Sequence, residues 1–69
     1  MVRIHVRSSS VVEVGYDPKT KILEVVFRKG DVYQYFDVPM NVYQDLIRAD
    51  SVGEFFNLQV KSNYQYRKV

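Results

Sequence analysis

The sequence predicts an α+β domain: a small antiparallel β-meander of four to five strands with two short helices packed on one face. Three observations carry that prediction. Apolar and polar residues alternate in short runs up to Val38, which is the period of half-buried strands. After Val38-Pro39 the apolar residues recur at helical spacing, and alternation returns from Tyr64 to Val69. The element order is three or four strands, two helices and a closing strand (β-β-β-α-α-β), all within one domain spanning residues 1–69.

Taken in order, residues 2–7 place Val2, Ile4 and Val6 on one side and Arg3, His5 and Arg7 on the other, so the outer side is basic. Whether this strand joins its own sheet or that of a neighbouring chain is open at this point. Ser8, Ser9 and Ser10 make a bend. A second run sets Val12, Val14 and Tyr16 against Val11, Glu13 and Gly15. Asp17-Pro18-Lys19-Thr20 is a turn, in which Pro fixes φ and Asp can bond its own backbone. Lys21 to Arg28 is a strand rich in β-branched and aromatic residues, followed by a hairpin into a strand over Asp31 to Val38. Lys29 suits φ > 0 poorly, so a three-residue loop with Gly30 in the left-handed bulge position fits better than a two-residue turn. That register sets Phe27 opposite Asp31, Val25 opposite Tyr33 and Leu23 opposite Tyr35.

Pro39 opens the first helix, where Val42, Tyr43, Leu46 and Ile47 form the buried stripe and Asn41, Gln44, Asp45 and Arg48 lie outside. Ser51-Val-Gly-Glu54 has capping-box spacing and starts a second helix with Val52, Phe55 and Phe56 buried. Helical character is lost after Asn57.

The chain is 46% hydrophobic and 14% aromatic, with 26% charged residues, as expected of a globular domain. There is no cysteine, so neither a disulfide nor a thiolate metal site supports the fold. Ten basic residues against eight acidic ones give a net charge of +2, a modest surplus that points to nucleic acid only if it is clustered. No apolar stretch is long enough for a membrane helix, and the segment from Met1 to Arg7 lacks the apolar run of a signal peptide. A cytoplasmic location without membrane association is the expectation.

The residues offer little to catalysis. His5 is the sole histidine, too few ligands for a metal centre, and the three glycines are isolated from any phosphate-loop pattern. Neither a cofactor, a small-molecule substrate nor enzymatic activity is expected. Binding is better supported. Six tyrosines occur with no tryptophan, and rings interleaved with Lys and Arg can stack unpaired bases. Arg3, His5, Arg7, Lys61, Tyr64, Tyr66, Arg67 and Lys68 are the candidate nucleic-acid-binding residues, one patch if the first and last strands are neighbours. Arg28 and Lys29 add charge at the hairpin tip. Tyr33, Tyr35 and Tyr43 are expected in the core or at its margin, which leaves Tyr64 and Tyr66 as the exposed rings.

The ordered set Ser9-Ser10, Val14-Gly15-Tyr16-Asp17, Leu23-Glu24-Val25, Phe27, Gly30, Tyr33-Gln34-Tyr35, Val38-Pro39, Val42-Tyr43, Leu46, Ala49, Ser51, Gly53, Phe55-Phe56-Asn57 and Tyr64 resembles the KTSC domain. That family is found at the C-terminus of some lysyl-tRNA synthetases and as small stand-alone bacterial proteins, with a central Tyr-x-Tyr. The resemblance spans about residues 6–68 and implies a family of uncharacterised role for which RNA binding has been suggested, with no catalytic or ligand residues to carry over. Val52 and Glu54 depart from it, standing where family members often carry lysine. Two functions follow as expectations: a module for RNA or single-stranded nucleic acid, and alternatively a protein-interaction or self-associating module using the edge strand at residues 2–7.

Overall fold

The computed structural model describes all residues, 1–69. Its elements are β1 (Arg3–His5), β2 (Val11–Asp17), β3 (Ile22–Phe27), β4 (Val32–Tyr35), α1 (Met40–Arg48), α2 (Val52–Phe55), a π-helical turn (Phe56–Val60) and β5 (Tyr66–Lys68). The five strands form one antiparallel sheet in the order β1-β2-β3-β4-β5. Helices cover one face, giving the α+β meander with four strands before the helices and one after. The N-terminal strand joins its own sheet, pairing Ile4 with Val14.

The hairpin between β3 and β4 takes the three-residue form. Leu23 pairs with Tyr35, Val25 with Tyr33 and Val26 with Val32, and Phe27 N–H donates to the Asp31 carbonyl at 2.9 Å. Gly30 has φ of 101°, a conformation costly for any residue with a Cβ. Leu23, Val25, Tyr33 and Tyr35 therefore share the helix-bearing face, and Glu24 and Gln34 share the opposite one.

Two strand assignments change. The register between β2 and β3 shifts between Val11 and Glu13, so Val12 is an extra bulge residue. A bulge puts two residues against one, which turns Val11 inward beside Val14 although the simple alternation sets them on opposite sides. Both are fully buried. The strand expected over Asp31 to Val38 ends at Tyr35, because Asp37 adopts φ of 57°.

In α1 the expected stripe holds: Leu46 is fully buried, while Val42, Tyr43 and Ile47 pack against the core. At α2 the Ser51 hydroxyl accepts from Glu54 N–H at 3.2 Å, which satisfies one orphan donor of the helix start. Helical structure then continues past Asn57, contrary to the pattern. The Lys61 N–H donates to the Phe56 carbonyl five residues back, at 2.9 Å. Side chains four apart lie on one face of a helix. Val52, Phe56 and Val60 thus all enter the core. Val52, buried there, is a packing residue rather than a surface contact.

On the opposite face Glu24 is buried beneath Arg3. Arg3 Nε lies 2.6 Å from Glu24 Oε2, and Gln34 Nε2 donates to Oε1 at 2.9 Å. Burial pushes the Glu24 carboxyl up, but the bonds from Gln34 and Arg3 and the Arg3 charge outweigh it and hold the group below its ordinary range. A Cβ on Gly15 would lie 2.8 Å from the Val2 carbonyl oxygen, so glycine there lets β1 approach closely. The helices leave the outer part of β1 uncovered, and Val2 remains 83% exposed.

Candidate nucleic-acid interface

The bulged hairpin, the π turn and β5 together build an aromatic cleft of about 470 Å³. Its wall follows from register. Residues 27, 31, 33 and 35 point to the helix-bearing side, and β5 adds Tyr66 opposite Tyr35 and Lys68 opposite Tyr33. Tyr33 and Tyr66 rings lie 5.6 Å apart, and Tyr35 and Tyr66 rings 5.5 Å. Phe56 reaches over from the π turn to make edge contacts with Phe27 at 5.4 Å and Tyr35 at 5.3 Å. These separations are typical of favourable aromatic pairs. Lys29 and Lys61 line the same cleft, with Asp31, Asn57, Ser10 and Ser62.

The rings grade from inside to outside. Tyr35 is 4% exposed, Tyr33 is half-buried and Tyr66 is 57% exposed. Burial, followed by the neighbouring Tyr66 and Tyr33, pushes the Tyr35 hydroxyl up to about 12. Because the folded pKa is raised above the ordinary value of 10.0, this contribution to stability is complete below pH ~10 and is lost as pH rises towards ~12. Two pH units correspond to roughly 2–3 kcal/mol. Urea midpoints should therefore fall steadily between pH ~10 and ~12, more shallowly in Tyr35→Phe; a flat profile would contradict the burial.

The structure sorts the predicted site residues into separate places. The single patch does not form. β1 and β5 are opposite edges of the sheet, four strand spacings or about 19 Å apart. Arg3 and His5 sit on the helix-free face and are matched by acids: Arg3 by Glu24 and Glu13, and His5 Nε2 by Glu13 at 3.4 Å. Arg67 pairs across from Gln34 and so faces that same side. Lys61 and Tyr66 do line the cleft, and Lys68 lies beside it, 3.4 Å from Asp31. Tyr64 packs against the core margin instead of standing free.

At the hairpin tip, Arg28 is committed to structure. Its guanidinium donates to the Ser8 and Ser9 carbonyls at 2.8 and 3.1 Å. Arg7 lines a second groove of about 510 Å³ with Ser8, Ser9, Ser10, Asp50 and Glu54. That groove has one apolar lining residue, Leu58, and two carboxylates against one cation, so it suits neither a flat ring nor a phosphate.

Phe27, Asp31, Tyr33, Tyr35 and Phe56 are absent from the sequence-derived site, to which Lys29 contributes only as charge at the hairpin tip. The β3–β4 register already aligned four of them on one face. What the sequence lacked was Phe56 arriving across from the π turn. No cluster of three or more His, Cys, Asp or Glu is placed to hold a metal ion, and no helix is long and apolar enough to cross a membrane.

The architecture and cleft define a small α+β meander domain with one aromatic, lysine-flanked recess. Residues 7–64 match the family model of the KTSC domain, and the chain belongs to that family. It is 44% identical over 70 residues to an uncharacterised protein of Stutzerimonas stutzeri, covering 100% of this chain and 99% of that one. It is 36% identical over 61 residues to a lysine–tRNA ligase of Nostoc punctiforme, a match spanning 88% of this chain but 11% of the ligase. The crystal structure of a KTSC domain protein from Yersinia pestis superposes with a TM-score of 0.94 at 39% identity, covering 99% of this chain and 96% of that one.

Proposed function

We propose that the protein is a non-catalytic module that binds single-stranded RNA by stacking an unpaired base in the aromatic cleft. The observation that carries this reading is the coincidence of exposed ring surface at Tyr66 and Tyr33 with the Lys29 and Lys61 cations in one recess. Stacking on a ring contributes about 1–3 kcal/mol per base, and the lysines meet the adjoining phosphates. The relatives that carry this domain within a lysine–tRNA ligase work on an RNA substrate, which adds support.

Titration of a labelled single-stranded RNA at low salt tests it. The expected result is a Kd of roughly 1–100 µM that weakens with salt, with a log–log slope near −1.4 for two phosphate contacts. Absence of binding across that range would sink the proposal. Self-association through β1 is a second reading, favoured by the exposed Met1, Val2 and Ile4 on an unpaired edge. A sedimentation profile that stays monomeric at high concentration removes it.

A further inference from the structure

Asp31 is at odds with a simple anion-binding recess. It lines the cleft beside Lys29 and Lys61, where a carboxylate repels phosphate. Its position is set by the fold: Gly30 makes the bulge, the Asp31 carbonyl accepts from Phe27, and the side chain shares a face with Tyr33 and Tyr35. Lys68 Nζ lies 3.4 Å from Oδ1, with both side chains partly exposed. An exposed pair of this kind is weak and rearranges readily, which leaves the carboxylate available to another donor.

We propose that Asp31 selects guanine in the cleft, accepting hydrogen bonds from the base edge while the ring stacks on Tyr33 and Tyr66. This rests on the nucleic-acid reading given above. Guanine presents two adjacent donors, N1–H and the N2 amino group, to a single carboxylate. Adenine and cytosine alternate a donor with an acceptor on that edge, and uracil flanks one donor with two acceptors. Bases splayed from a single strand are read on these edges. Lys29 and Lys61 stay with the phosphates that adjoin the stacked base. A recess that offers a carboxylate to the base edge thus matches guanine better than the other three bases.

The test compares four RNA oligomers of uniform flanks that differ in one central base, against the native chain and Asp31→Asn. The hairpin is closed by the Asp31 backbone, and a tyrosine NMR spectrum checks that the variant keeps the fold. The native chain should bind the guanine oligomer about tenfold tighter than the others, and D31N should bring the four within twofold. Equal affinities in the native chain, or a guanine preference that survives in D31N, overturn the selection by Asp31 while leaving the cleft as a binding site. Failure of all four oligomers to bind overturns both.

Discussion

Replacing Phe56 with alanine is expected to remove most of the stability of the domain. Phe56 is 4% exposed and is the ring through which the π turn meets Phe27 and Tyr35. Truncating a buried phenylalanine costs about 3–5 kcal/mol, because the lost transfer energy is joined by the cavity left behind. A chain of 69 residues has roughly 3–10 kcal/mol in total at ordinary stabilities per residue. Urea denaturation of F56A should show the midpoint falling by half or more, or no folded baseline at all. Leu58→Ala in the same turn, where the side chain is 67% exposed, should change stability by no more than about 0.5 kcal/mol. A loss in F56A below about 1 kcal/mol would mean that the π turn does not dock on the sheet.

Replacing Tyr66 with alanine is expected to separate binding from folding. Tyr66 lies on β5, an edge strand of three residues that are all exposed, yet its ring is within 5.6 Å of both Tyr33 and Tyr35. The ring thus has one face on the cluster and the rest in solvent. Loss of a stacking platform should weaken single-stranded RNA about tenfold, near the low end of 1–3 kcal/mol per base. Stability should fall by about 1 kcal/mol or less, since an exposed side chain leaves little cavity. Parallel RNA titration and urea denaturation check this. Unchanged RNA affinity, or a stability loss as large as that of F56A, would assign Tyr66 a structural role instead.

Local chemistry was readable wherever a short stretch determines its own geometry. The β3–β4 register followed from lysine's poor fit to a two-residue turn and from Gly30. The Ser51 cap and the α1 stripe followed in the same way. The features that escaped depend on contacts between distant segments. Val12 is an extra residue only because Val11 and Val14 both have buried places against β3, and strict alternation hides such a bulge. The π turn carries Val60 into the core beside Val52 and Phe56, a contact with the sheet that no local pattern after Asn57 announces. Most consequential was strand order. Arg3, His5, Arg67 and Lys68 are terminal in sequence, but a simple meander sends the two ends to opposite edges.

That same topology changes the relation between the two Tyr-Gln-Tyr stretches. By sequence, the first reads as core and the second as exposed surface. In the sheet β4 and β5 are neighbours, so Tyr33, Tyr35 and Tyr66 form one continuous ring cluster running from the core to solvent. Tyr35 anchors what Tyr66 presents. Tyr64 lies before β5 begins and instead packs against the core.

The most direct measurement is the residue-resolved form of the RNA titration, following backbone amide shifts as single-stranded RNA is added at low salt. Binding in the aromatic cleft predicts the largest shifts at Lys29, Asp31, Tyr33, Lys61 and Tyr66, with Glu13, Glu24 and Arg67 on the helix-free face unmoved. Shifts confined to that opposite face, or to β1, would contradict the cleft as the binding site.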